Sequence, residues 1–350
     1  MNAQTPNRAV AVARSALPAA LVLLALLAGV VISACGSGAG GRITAVRAVR
    51  SARWTEYVRV RRPLDLAGPR RDGSLVLAAD GRLSLLTPGG SVKPFASGPG
   101  GYTSPGGEEP YIALSPGGGY GNGTVYALRL KGGRGVVAIS APGIVRRFAS
   151  LSLPGLIDGI AFDRAGRFGH RLLVTINAGG RTAVQAIDRH GAVSTVTRTA
   201  PRVEGGIAVA PTTFGRFAGD LIAPSETTGQ IFTITPRGES SLLANSGLPH
   251  GGDIGVESEA FVPSDPRADA FVADRLTPGN RHPGDDAVLR IRASALRNAG
   301  VRPGDLLVST EGGALVDDVS PIAGGYRVRL VARGPAIAHG EGHIAFARSR

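Results

Sequence analysis

Cysteine occurs once in 350 residues, at Cys35, so no disulfide can form within the chain. Aromatic residues make up only 5%, too few for a platform on which bases would stack. Lysine is confined to Lys93 and Lys131, and the formal charge of +13 is carried almost wholly by arginine. Those arginines are scattered along the chain, so nucleic acid is not an expected partner. The charge supports only a weak attraction to anionic surfaces such as phospholipid headgroups. No long amphipathic helix can be drawn. No Gly-x-Ser-x-Gly elbow, Walker loop or Cys-His pair is present, and nothing suggests a haem or flavin site.

Glycine, at 52 residues, and proline, at 24, are abundant, while the hydrophobic fraction is an ordinary 43%. That mixture suits many short strands joined by tight turns rather than disorder.

The N-terminus has the pattern of an export signal. Arg8 and Arg14 precede an apolar run from Ala16 to Ile32, which closes on Ile32-Ser33-Ala34-Cys35. The four closing residues resemble the lipobox of bacterial lipoproteins, which implies cleavage after residue 34 and lipidation of Cys35. An uncleaved membrane anchor is the alternative. Residues 35–42, rich in glycine, form a flexible tether, and 43–350 form one domain on the outer face of the cytoplasmic membrane.

One short phrase recurs along that domain. Its clearest copy is Glu204-Gly205-Gly206-Ile207-Ala208-Val209; others are Glu109 to Leu114, Asp158 to Phe162 and Glu341 to Phe346, with a looser one at Glu257 to Phe261. Aligning Ile112, Ile160, Ile207, Glu259 and Ile344 gives steps of 48, 47, 52 and 85, and one step back from Ile112 lands on Leu64. A fixed period in the forties marks blade-type repeats, each needing neighbours to bury its apolar face. Each interval holds about four strands; Leu75 to Ala78, the Asp80-Gly81 turn and Arg82 to Leu86 make one hairpin. The chain is therefore all-β, a propeller of six four-stranded blades, with seven as the alternative. Strands from 43–61 complete the ring with the final copy. The fifth repeat, about 258–340, is irregular: either one blade with an insertion or two with a degraded phrase, and with a short helical turn over 293–299. The glycine-rich run Gly117 to Gly123 leads into a strand rather than a helix, so it is a loop and not a phosphate cradle.

Phrases such as Asp158-Gly159-Ile160-Ala161-Phe162-Asp163-x-x-Gly166 resemble blade starts of the senescence-marker-protein/gluconolactonase and NHL-type propellers. The resemblance covers most of 62–347 and is a blade-level pattern. The former family implies a divalent cation, usually calcium, at the channel mouth, and hydrolysis of lactones or phosphoesters. Its Glu-Gly-Pro start is matched only in part by Glu109-Pro110, and among its asparagine ligands only Asn177 has a candidate counterpart.

An acidic residue stands two or three places before the aligned position in each copy: Glu109, Asp158, Glu204, Glu257 and Glu341. Innermost strands line the axis, so these carboxylates are expected near one channel mouth. There they either hold a hard cation such as Ca2+ or accept hydrogen bonds from adjacent turns. His339-Gly340-Glu341-Gly342-His343 places two imidazoles and a carboxylate on one strand face, a candidate Zn2+ set to which His250 could add a ligand. Two functions follow. The first is a monomeric, lipid-anchored binding or scaffold module for a small ligand or protein. The alternative is a calcium-dependent lactone or ester hydrolase.

Overall fold

The computed structural model describes residues 51–96, 111–129 and 134–350. The signal at 1–34, Cys35, the tether at 35–42, the strand expected at Ile43 to Val46 and Glu109 lie outside the described residues.

Among the described residues, 25 strands form six sheets arranged as a propeller. Strands β1 (Ala52–Arg53) and β2 (Thr55–Arg59) come first in the chain. Blade 1 is β3 (Pro63–Ala67) to β6 (Val92–Pro94), and blade 2 is β7 (Ile112–Leu114) to β10 (Val145–Ser150). Blade 3 is β11 (Leu156–Phe162), β12 (Leu172–Ala178), β13 (Arg181–Ile187) and β14 (Val193–Pro201). Blade 4 is β15 (Ala208–Val209), β16 (Leu221–Ser225), β17 (Gln230–Ile234) and β18 (Ser240–Asn245). Each is an antiparallel meander, with the recurring phrase on the innermost strand of blades 2, 3 and 4.

The rest of the chain interleaves two blades. After β19 (Val256–Phe261) come β20 (Asp269–Asp274), β21 (Ala287–Ile291), the helix α1 (Ala293–Asn298), β22 (Leu306–Thr310), β23 (Val316–Ile322), β24 (Gly325–Arg333) and β25 (Gly340–Ala347). Blade 5 runs β19-β22-β23-β24, and blade 6 runs β25-β20-β21-β2. The hairpin β20–β21 is thus inserted between the inner strand of blade 5 and the rest of that blade. This resolves the irregular interval as two blades whose strands are out of chain order, which is why the spacing of the phrase jumps to 85 there. The N-terminus closes the ring: β2 pairs with β21 as the outermost strand of blade 6, while β1 lies parallel to β24 on blade 5. Trp54 between them is 3% exposed and packs into the cluster shared by blades 5 and 6.

Second strands are apolar nearly throughout because a neighbouring blade covers each face. Leu173 and Leu221 on the second strands, for example, share one cluster with Val184 and Ile234 on the third strands of blades 3 and 4. Fully burying one such side chain is worth about 1.5–3 kcal/mol, so the blade interfaces supply most of the driving force.

The inner strands are not regular. Pairing shifts between Pro63 and Asp65, Ile157 and Ile160, and Val256 and Ser258, with a matching shift where β25 meets β20. Such bulges re-aim a side chain, and here they fall just before Asp65, at Asp158 and Glu257, and just after Glu341. The bulge in blade 1 makes Leu64 the extra residue, so Leu66 and not Leu64 takes the place that Ile112 holds in blade 2.

Candidate functional site at the channel mouth

The acidic residues of the phrase do not form one equivalent ring. Asp158, together with the Asp65 of blade 1, brackets neighbouring blades. Asp158, 1% exposed, accepts hydrogen bonds from the Gly205 N–H at 3.1 Å and from Asn177 Nδ2 at 2.5 Å. Asn177 also donates to the Val203 carbonyl and accepts from Thr182, so its amide is consumed by these bonds. Asp65 has the same role in its own blade: it accepts the Ile112 N–H at 2.7 Å, the Leu66 N–H at 2.8 Å and the His343 N–H at 2.7 Å. The imidazole Nδ1 of His343 lies 3.1 Å from the same carboxylate. Burial pulls the His343 pKa down, but the Asp65 charge and hydrogen bond outweigh it and the net shift is upward. Burial first, and then the nearby Glu204, push Asp158 up to about 8.

Tyr111 closes the axis. Its hydroxyl donates to Glu257, and its ring meets His343 edge-on at 6.0 Å. The strands approach so closely here that Gly205, at φ +77°, and Gly342, at φ +67°, have no room for a side chain. A Cβ on Gly205 would collide with Glu257, and one on Gly342 would lie 2.5 Å from Asp65 Oδ1. Glu204, half-buried beside Asp158 and Glu226, pairs with Arg202 at 3.0 Å.

Next to this plug stands a second cluster, joined to it by Glu257, whose side chain hydrogen-bonds Glu311. Glu311, His339 and Glu341 are each buried, and one ligand atom from each lies within 4.8 Å of the others. His339 Nε2 is 3.4 Å from Glu341 Oε1 and 3.6 Å from Glu311 Oε1. Glu311 belongs to a second group with Glu226 and the exposed Asp253. Arg275 Nη1 reaches Glu341 Oε1 at 3.0 Å and offsets part of the negative charge. Even so, burial, with Glu341 and Glu226 close by, pushes Glu311 up to about 9. Glu226 is raised by burial and by Glu204. Burial carries Asp274, which holds the His339 N–H at 2.8 Å, to about 6.

His339 and Glu341 therefore meet as the sequence suggests, whereas His343 faces the other way and pairs with Asp65. His250 is exposed, its Nδ1 near the Leu248 carbonyl, and it joins neither group. Glu311, Glu226, Asp253 and Arg275 lie outside the recurring phrase and escape a reading based on it. A signal for three of them exists: Asn177, Glu226, Glu311 and Arg275 all stand at or just after the end of the second strand of their blades. A polar residue recurring there marks the second tier of the mouth.

The cluster suits a cation. Glu311 Oε2, Glu341 Oε2, His339 Nδ1 and Glu226 Oε1 are buried and without a hydrogen-bond partner, and such atoms ordinarily find one. Two carboxylates and an imidazole match zinc, or manganese, better than calcium, whose sites are built from oxygen ligands.

No family profile and no curated relative matches the chain. Solved structures similar to it include a streptogramin B lyase, 13% identical, with 84% of this chain and 94% of that one covered and a TM-score of 0.46. A candidate oxidoreductase (glucose dehydrogenase) from Thermus thermophilus is 18% identical over 80% of this chain and 86% of that one, at 0.48. A candidate gluconolactonase is 12% identical over 69% and 92%, at 0.36. The six-bladed fold rests on the sheets themselves.

Proposed function

We propose that the protein is a cation-centred binding propeller, tethered through Cys35 to the outer face of the cytoplasmic membrane. The observation that carries the cation is the cluster Glu311, His339 and Glu341, buried together with orphaned ligand atoms. These three would hold the ion, and Glu226 and Asp253 would join Glu311 around a more open position facing solvent. The ion supplies a positive centre. The surrounding chain sets which ligands reach it, through Arg202 beside Glu204 and the exposed Asp253. Tethering predicts that the wild type incorporates labelled fatty acid and that Cys35→Ser does not; equal labelling of the two would remove the anchor from this reading.

The open position favours a second reading, metal-assisted hydrolysis of a lactone or ester, because a carboxylate at that position such as Glu226 could accept a proton from attacking water. Both readings are tested by titrating zinc, manganese and calcium into chelator-treated protein carrying residues 42–350, which include both ends of the closed ring. Glu311→Gln removes the ligand common to both groups and is expected to weaken cation binding at least ~100-fold, about 2.7 kcal/mol. No heat with any of the three ions would sink the cation. Binding without turnover across a lactone and ester screen would leave the binding module.

A further inference from the structure

Both ligand groups at the channel mouth contain Glu311. In the first, the Oε1 atoms of Glu311 and Glu341 lie 3.6 Å and 3.4 Å from His339 Nε2. An ion held by those atoms leaves Glu311 Oε2 and Glu226 Oε1 as they are, buried and without a hydrogen-bond partner. Glu311 is only 5% exposed, and a carboxylate oxygen so placed ordinarily has a partner. The second group, Glu226, Asp253 and Glu311, brings its ligand atoms within 4.8 Å of one another, as the first does.

Backbone bonds hold this second group in place. The Gly251 N–H donates to the Glu226 carbonyl at 3.0 Å, and the Glu311 N–H donates to the Gly255 carbonyl at 2.8 Å. The loop that carries Asp253 is therefore fixed to the ends of two second strands, β16 and β22. Asp253 itself is exposed, at φ 55°, and leaves the group open to solvent on one side.

Charge balance asks for more than one ion. Glu226, Asp253, Glu311 and Glu341 stand together with Glu257, which hydrogen-bonds Glu311. Among the described residues Arg275 is the cation held against them, since Arg202 is matched by Glu204. When ionised, the five carboxylates exceed the one guanidinium by four negative charges, which two divalent ions cancel and one does not. The opposite end of the axis is apolar. The inner strands open there into a funnel of about 880 Å³ ringed by leucine and isoleucine. The carboxyl in that ring, Glu259, is 0% exposed, and neither oxygen makes a hydrogen bond of proper geometry, although the Ala208 backbone faces it.

We propose that the mouth holds two divalent cations bridged by the carboxylate of Glu311, one against His339 and Glu341 and the other against Glu226 and Asp253. This rests on the cation reading of the same mouth, to which it adds a second ion. Bridged ions of this kind lie roughly 3.5–4 Å apart. The imidazole of the first group suits a borderline ion, whereas the second group, all oxygen, suits a harder one. Manganese takes both kinds of donor and is the ion expected to fill both positions.

The test uses the full chain in detergent, stripped with chelator and dialysed against manganese. Two ions per chain are expected, with the coupled electron paramagnetic resonance signal of a bridged pair. Asp253→Asn keeps a residue type that tolerates the left-handed backbone. It should weaken the second ion at least ~10-fold, because even an outer-shell partner of a metal is worth that much. The first ion should bind as before and give the signal of an isolated manganese. Glu311→Gln should weaken both ions together, and a melting curve on each variant confirms folding. One manganese per chain, unaffected by Asp253→Asn, would overturn the second ion and leave the cation reading standing. Two ions without coupling would overturn the bridge. No bound manganese would overturn the pair, and if zinc and calcium also fail to bind, the cation reading falls with it.

Discussion

Replacing Glu259 with isoleucine is expected to raise the melting temperature. The side chain stands in a girdle where Ile112, Ile160, Ile207 and Ile344 occupy the corresponding place, so the substituted residue meets surroundings already shaped for it. Two terms act in the same direction. Removing an unpaired carboxyl from an apolar site recovers about 1–3 kcal/mol, and burying an isoleucine there contributes up to about 2 more. A net gain of about 3 kcal/mol corresponds to a rise of roughly 5 °C for a domain of this size. Glu259→Gln controls for the polar group, because the amide remains unpaired and should leave the melting temperature within a few degrees. A fall in Glu259→Ile would mean that the carboxyl has a structural partner, with the Ala208 backbone the group that faces it.

The second large effect is a dependence of stability on pH that a cation should cancel. Glu311 titrates at about 9 and Asp158 at about 8 in the folded protein, both chiefly through burial. Their unfolded values lie near 4. Between those limits the folded state holds more protons than the unfolded one, so stability falls as pH rises from about 4 to about 9. His343, shifted upward beside Asp65, adds in the same sense above about 6.5. At the acid end the sign reverses. Asp285 and Asp265, held low by hydrogen bonds from Arg59 and Arg348, lose their contribution below about 4. Chelator-treated protein should therefore be most stable near pH 4 and lose several kcal/mol by pH 9. A bound cation would replace the proton on Glu311. Added zinc or manganese should then raise the melting temperature strongly at pH 8.5 and little at pH 5, where protons compete for the same oxygens. An equal shift at both pH values would place the ion elsewhere, and a flat profile without metal would contradict the burial of the cluster.

Much of the architecture is legible in the amino-acid sequence. The recurring phrase marks the inner strands of blades 2, 3, 4, 5 and 6, and the hairpin at Leu75 to Leu86 and the helical turn near 293 fall where expected. Ring closure by the N-terminal strand follows from the final copy having no strands after it. Less of the site is legible. Asp158, Glu204, Glu257 and Glu341 look equivalent in the chain, yet one brackets two blades, one pairs with Arg202, one meets Tyr111 and only Glu341 joins a ligand cluster. Asn177 and His343 are consumed by bonds that no spacing reveals, His343 by Asp65 278 residues away. Glu259 is visible as a departure from isoleucine, but its isolation is not.

The division has a physical cause. Strand, turn and blade period are set by interactions within a few residues, namely side-chain alternation, glycine at positive φ and the repeated burial of one face. These leave a periodic trace in the chain. By itself the sequence therefore determined an all-β repeat closed into a ring, with an acidic residue at the start of most copies. Which acids meet depends on the bulges that turn each side chain and on the interleaving of blades 5 and 6. That interleaving brings the loop at Glu311 against Glu341, and ring closure brings Asp65 against His343, 278 residues away. Such contacts are decided by how whole sheets pack around the axis. Only the tertiary structure could show a closed acidic cluster at one end and a lone carboxyl in an apolar funnel at the other.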